Sequence, residues 1–288
     1  MAPRVAPVRI DLHVHSTASD GTQPPAAVVA EAAAAGLDVV ALTDHDTTAG
    51  WAEASAAALR EGVQLLPGAE ISCQVNGISV HLLSYLHDPA EPELAAEMER
   101  TRSDRVTRAR RMVDLIAVDH PLSWDEVSAL VEPGATVGRP HIADAMVAKG
   151  LVADRDEAFA TVLHSRSRYH VRHYAPDAER AVRLVRRAGG VPVMAHPLAA
   201  RRGRVVTDAV IAGLAAAGLA GLEVDHRDHD PAEREHLRGL AAALGMLTTG
   251  ASDYHGSGKV NRLGENLTTA GTLERIEAMA NGGRVVRP

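Results

Sequence analysis

The run Ile10-Asp11-Leu12-His13-Val14-His15-Ser16 ends a short apolar segment with two imidazoles placed two residues apart. In an extended chain such side chains leave the same face, so His13 and His15 can meet one metal ion while Leu12 and Val14 pack inward. Asp20 follows at once in Ser19-Asp20-Gly21. Further along the chain, Asp44-His45-Asp46, Glu70, His81, His196 and Asp253-x-His255 each fall at or near the end of a strand-like run. Core packing does not call for histidines and carboxylates at equivalent places in successive units, whereas a metal site does. Two divalent cations held close together lower the pKa of a shared water and stabilise in-line displacement at phosphorus, with no serine or cysteine nucleophile.

The elements that must position these residues alternate. Strand-like runs at 10–15, 38–43 and 63–66 are separated by helices from Pro24-Pro25 to Ala35 and from Ala49 to Glu61, which predicts parallel pairing. The third run leads into Gly68–Ser72, and Asn76-Gly77 marks a turn into a fourth strand, Ile78–Tyr85. The pattern then changes to helices alone, from Glu91 to about Val118, Ser123 to Val131, His141 to Lys149 and Asp154 to Leu163. Alternation resumes with a helix over 175–188, strands at 191–196, 221–226 and 246–255, helices at 205–217, 231–244 and 273–281, and a closing strand Arg284–Val286. These units predict an α/β fold, a closed β/α barrel in which residues 1–98 and 173–288 build the barrel and 99–172 form a helical insertion.

Composition narrows the class. The 288 residues are 46% hydrophobic and only 2% aromatic, so the core must be built from aliphatic side chains. A net charge of −7 gives no global attraction to nucleic acid. Fifteen histidines against the single Cys73 favour nitrogen and oxygen ligands, exclude an internal disulfide and fit a reducing compartment. No apolar leader is present in Met1–Pro7 and no stretch is long enough to span a membrane, so a cytoplasmic protein without a membrane partner is expected. Nothing in the sequence marks an obligate protein partner.

The ordered blocks His13-Val-His-Ser-x-x-Ser-Asp20-Gly, Leu42-Thr-Asp-His45-Asp, Gly68-x-Glu70-Ile-Ser, His81, Ala195-His196-Pro and Gly250-x-Ser-Asp253-x-His255-Gly resemble the motifs of the polymerase and histidinol phosphatase (PHP) family. The resemblance implies a distorted seven-stranded, TIM-like β/α barrel of PHP type holding two or three divalent ions, Mn²⁺ first, Zn²⁺ or Fe²⁺ otherwise. Carried over by position, it implies one ion on His13, His15, Glu70 and Asp253, a second on Glu70, His81 and His196, and a third on Asp20, His45 and His255. Asp253 and His255 then stand at the reacting centre, Asp44 orients His45 or a neighbouring ligand, and a free histidine such as His229 protonates the leaving group.

Gly138-Arg139-Pro140-His141 opens an insertion helix, where free N–H groups, Arg139 and His141 suit a phosphate. This block is similar to a PHP subgroup that removes the 3′-phosphate from 3′,5′-bisphosphonucleotides or trims short RNA from the 5′ end. That makes a small phosphorylated nucleotide or short RNA the expected substrate. A histidinol-phosphate-type metabolite phosphatase and a non-catalytic metal or phosphonucleotide sensor are the alternatives. The strand 221–226 ends in Asp225-His226, so a base would have to stack on Tyr169, Tyr174 or Tyr254 instead. Arg166, Arg168, Arg172, Arg201, Arg202, Arg204 and Lys259 offer a second phosphate contact but, like the arginines from Arg100 to Arg111, are expected to be solvated surface charges.

Overall fold

The computed structural model describes residues 7–172 and 174–288; residues 1–6, in which no leader was read, lie outside that description. Seven strands form one sheet in sequence order: β1 (Ile10–Val14), β2 (Val39–Leu42), β3 (Gln64–Val75), β4 (Ile78–Tyr85), β5 (Val191–Met194), β6 (Gly221–Asp225) and β7 (Leu247–Gly250). The sheet curls into a nearly closed barrel. Val14 bridges Tyr254 just past β7, and the His15 N–H donates to the Tyr254 carbonyl at 2.8 Å. Helices α1 (Pro25–Ala34) and α2 (Trp51–Glu61) follow the first two strands, and α7 (Ala178–Arg187), α8 (Asp208–Ala216), α9 (Pro231–Ala243) and α10 (Ala270–Met279) surround the later ones.

Two expectations need correction. Parallel pairing holds for β1–β2–β3 and β5–β6–β7, but β4 runs antiparallel to both β3 and β5. The cause is local: Asn76 and Gly77 both take positive φ, 49° and 75°, and fold β3 directly back as a hairpin. The closing strand is one bridge, Leu65 with Val286. Continuing that antiparallel ladder would need an N–H at residue 67, and Pro67 has none.

Between β4 and α7 lie α3 (Pro92–Ile116), α4 (Trp124–Ser128), α5 (Arg139–Ala148) and α6 (Arg155–Thr161). They share an apolar core of their own, including Met112, Ile116, Val127, Ile142, Met146 and Leu163. The expected 98/99 boundary falls inside α3. Its first turns, with Leu94 and Met98, pack with α7 and the outer face of the sheet, and its later turns pack with the helical core. One rigid helix therefore joins the two parts. Among the described residues, no helix is long and apolar enough to cross a membrane.

Candidate active site

Every residue in the sequence-derived ligand set sits at one mouth of the barrel. Glu70, in the middle of β3, is the hub. Its Oε2 lies 3.2 Å from His13 Nε2, from His15 Nε2 and from His45 Nδ1, and its Oε1 lies 2.7 Å from His81 Nδ1 and 3.1 Å from His196 Nε2. Asp253 Oδ1 is 3.5 Å from His13 Nε2 and 3.4 Å from His15 Nε2, while Asp20 Oδ1 is 3.2 Å from His255 Nε2. His13 Nε2 and His15 Nε2 are themselves 3.0 Å apart. Ligand atoms about 2.1 Å from a common ion stand roughly 3.0–3.4 Å from one another, so these spacings are those of a coordination shell.

Three groups fit an ion: His13, His15 and Glu70; His45, Glu70 and His81; and His15, Asp20, His45 and His255. Nitrogen and carboxylate donors of this kind suit borderline divalent cations, and His45 Nδ1 is buried without a hydrogen-bond partner, as a ligand atom aimed at an ion would be. The donors also polarise one another. Despite burial, which opposes it, Glu223 and then Glu70 raise the pKa of His13 well above its ordinary value. Burial alone would raise the carboxyls of Glu70 and Asp20, but the imidazoles around them, led by His45 for Glu70 and His255 for Asp20, hold both well below the usual range.

The backbone is shaped for this convergence. Asp46, His196 and Asp253 all have positive φ, 53°, 31° and 54°, which costs non-glycine residues on the order of 1–3 kcal/mol each and is tolerated where surrounding contacts over-determine it. At Gly21 a Cβ would lie 2.7 Å from the His15 carbonyl oxygen, so only glycine lets the Asp20 loop fold back on β1. Asp44 anchors that loop. It accepts from the Ser16 N–H at 2.8 Å and from the Ser16 and Ser19 hydroxyls at 2.6 Å each. It thus acts on the loop carrying Asp20 and, through Ser19, on His15; the described residues give it no bond to His45.

Sequence reading missed two buried carboxylates. Glu223 on β6 lies 2.9 Å from His13 Nδ1 and accepts from the His196 N–H at 2.8 Å, which leaves His13 Nε2 free to face an ion. Asp11 accepts from the N–H groups of Ser252 at 3.0 Å and Gly264 at 2.8 Å, fixing the segment before Asp253; burial pushes its pKa up to about 6. The available signal was a carboxylate inside a strand whose burial pattern is otherwise continuous.

His229 is not a free acid. Its Nδ1 stands 2.9 Å from the Val224 carbonyl and its Nε2 accepts from the Leu198 N–H at 3.1 Å, so both nitrogens are committed to the backbone. His141 differs. Its Nδ1 accepts from the Gly138 N–H at 3.1 Å, which places its proton on Nε2, and burial lowers its pKa so that it stays a neutral donor. Asp20 and Asp144 pull the other way, and Arg155 adds to the lowering.

The expectation of a solvated arginine face on α3 holds for Arg100, Arg110 and Arg111, which are exposed, and is overturned for Arg105 and Arg108. Arg105 and Arg108 are buried; Arg105 reaches Asp46 at 3.2 Å and also donates to Ser72, and Arg108 Nε donates to the Val171 carbonyl at 2.7 Å. Arg139 donates to the Leu163 carbonyl at 2.9 Å and stacks 5.2 Å over Phe159, with no carboxylate partner among the described residues. Burial and then the neighbouring guanidinium groups pull Arg108 down to about 9 and Arg139 to about 10. The α3 pattern read as exposed because the arginines outnumber apolar residues, whereas the covering helices bury that face.

The tyrosines proposed for base stacking are engaged elsewhere. Tyr254 bonds Gln23 and Glu31, Tyr169 bonds Asp119, and Tyr174 lies beneath Arg100. Arg202 and Lys259, each about a third exposed, are not free surface charges; both sit on Asp253.

The family model for the PHP domain matches residues 11–186. The chain belongs to the PHP family. A 3′,5′-nucleoside bisphosphate phosphatase of Chromobacterium violaceum is 36% identical over 254 residues, covering 88% of this PHP chain and 89% of that protein. A 5′-3′ exoribonuclease of Haemophilus influenzae is 32% identical over 260 residues, covering 90% and 94%. Among solved structures, a metal-dependent phosphoesterase of Bifidobacterium adolescentis superposes with a TM-score of 0.93 at 42% identity, over 94% of this chain and 96% of that one. This PHP protein is a metal-dependent phosphoesterase.

Proposed function

We propose that the enzyme removes a phosphate from 3′,5′-bisphosphonucleotides, using two or three divalent ions, Mn²⁺ in the first instance, on His13, His15, Asp20, His45, Glu70, His81, His196, Asp253 and His255. Ions held there supply an acidified water and polarise the phosphoryl oxygens. The chain's own groups do the rest: Glu223 and Asp44 orient the donors, and His141, with Nδ1 held by the Gly138 N–H, keeps Nε2–H as a neutral donor for the substrate.

One observation carries the substrate reading. Beside the donor cluster, the buried Arg105 and Arg108 and the half-buried Arg139 gather close enough to repel one another, with Asp46 in contact with Arg105 and Asp104 the carboxylate acting on Arg108. Buried cations in such excess favour an anionic ligand, and arginine suits phosphate. A substrate with one phosphate at the metal donors and another in the arginine pocket satisfies both. The name of the Chromobacterium violaceum relative supports this choice. Short 5′-phosphorylated RNA is the second reading, supported by the name of the Haemophilus influenzae relative.

In this reading residues 99–172 cap the mouth. Arg155 of α6 grips Asp144 with two bonds and reaches the Asp20 carbonyl at 3.4 Å, while the Thr136 N–H donates to the Ala18 carbonyl at 3.0 Å. The lone buried Cys73 fits a reducing, cytoplasmic setting.

The test is phosphate release by Mn²⁺-loaded protein from adenosine 3′,5′-bisphosphate, 3′-AMP, 5′-AMP, histidinol phosphate and a short 5′-phosphorylated RNA. Preference for the bisphosphate, lost in Arg139→Ala, is the expected result. Preference for histidinol phosphate, or equal rates on the mono- and bisphosphates, overturns it.

A further inference from the structure

Asp253 is divided between two kinds of neighbour. Its Oδ1 faces imidazole nitrogens, 3.5 Å from His13 Nε2, 3.4 Å from His15 Nε2 and 3.5 Å from His255 Nδ1. Its Oδ2 faces two permanent cations and, at 3.6 Å, His226 Nε2. Arg202 Nη2, on the short 3-10 turn Ala200–Arg202 after β5, donates to it at 2.6 Å, and Lys259 Nζ, past β7, donates at 3.0 Å. Arg202 also holds Asp228 through Nε at 2.7 Å.

The charges of Asp253, Asp228, Arg202 and Lys259 cancel as they stand. Once Oδ1 shares its charge with a divalent ion, the same group carries an excess of positive charge. Spare donors are present: Arg202 Nη1 makes no hydrogen bond among the described residues, and Lys259 Nζ uses one of its three hydrogens. Both side chains stay open to solvent, at 33% and 32% exposure. They approach from the β5 and β7 side of the mouth, whereas Arg105 contacts Asp46 after β2 and Ser72 on β3.

We infer that Arg202 and Lys259 bind the oxygens of the phosphoryl group being cut, opposite the arginine pocket that takes the second phosphate. The assignment of two phosphates to two walls rests on the bisphosphate reading; the clamp on the scissile phosphate applies to any phosphomonoester hydrolysed at this cluster.

Arg202→Met, Lys259→Met and the double variant separate this role from mere support of Asp253. Metal affinity by chelator competition, binding of inorganic phosphate to metal-loaded protein by calorimetry, and kcat/KM on adenosine 3′,5′-bisphosphate and on p-nitrophenyl phosphate are measured for each. Phosphate affinity and kcat/KM on both substrates are expected to fall about tenfold per substitution at unchanged metal affinity, the loss of one charge-assisted contact. Lys259→Arg should restore most of the loss. Phosphate affinity within twofold of wild type, with metal affinity altered, overturns the inference and leaves the pair as supports of Asp253. Were Arg202→Met to unfold, Lys259→Met alone decides. A wild-type enzyme active on p-nitrophenyl phosphate but not on the bisphosphate would sink the bisphosphate reading, while the clamp would still be judged by phosphate binding.

Discussion

Glu223 Oε1 and His13 Nδ1 meet at 2.9 Å although 210 residues separate them in sequence. The contact sets the tautomer of His13 and turns its other nitrogen toward Glu70 and Asp253. Burial disfavours the Glu223 charge, but His13, then His226 and His196, hold its pKa down at about 2. Removing the charge in Glu223→Gln should weaken divalent-metal affinity by roughly 10- to 100-fold, the usual effect of losing such an orienting partner. Chelator competition measures it, and an affinity within twofold of wild type would rule the role out.

Gathering Arg105, Arg108 and Arg139 costs stability, a cost that binding of a second phosphate would offset. Burial and the charges of Arg139 and Arg105 act against Arg108 in the substrate-free protein. Arg108→Met should therefore raise the melting temperature of substrate-free protein by about 2–4 °C, the equivalent of roughly 1 kcal/mol in a chain of this size. The same change should raise KM for the bisphosphate about tenfold. A lower melting temperature would show that the Val171 contact outweighs the repulsion.

Metal removal should be visible in stability as well as in rate. Ions bind the assembled donor cluster and not the unfolded chain, so at a hundredfold excess over Kd each contributes about 2.7 kcal/mol. Adding a strong chelator should lower the melting temperature by roughly 5–10 °C per ion displaced. Calorimetry with and without Mn²⁺ checks this, and coincident transitions would count against a resident ion.

His87 supplies a pH dependence away from the metal donors. It is fully buried at the end of β4, its Nδ1 is 2.8 Å from Ser84 Oγ, and its Nε2 has no partner. Burial lowers its pKa to about 4. The group is neutral in both states above about pH 6.5, so its contribution is intact there. Between pH 6.5 and 4 the unfolded chain takes up a proton that the folded chain refuses, and stability falls by up to roughly 3 kcal/mol. Urea unfolding of metal-free wild type and His87→Asn across that range should show a shallower acid slope in the variant; parallel slopes would refute the assignment.

How much of this was written in the chain follows from the range of the forces involved. Strand-end histidines and carboxylates, the Asn76-Gly77 hairpin and the helical stretch after β4 are local patterns, and each was legible because a side-chain period or a turn preference depends on near neighbours. What only the folded chain decided are matters of pairing and cover. The pairing of β4 with β5 came only with the folded sheet, and the last strand stops at one bridge beside Pro67, which has no N–H to extend it. Arg105 and Arg108 looked like surface charges because sequence alone does not say what will be laid over them, and Arg202 and Lys259 because it does not say that both will reach Asp253. Glu223 looked like one strand residue among others until β6 came within 2.9 Å of His13. His229 lost its expected role because two backbone groups, Val224 and Leu198, reach it first. Residue type named the chemistry; long-range contact chose which groups are free to perform it.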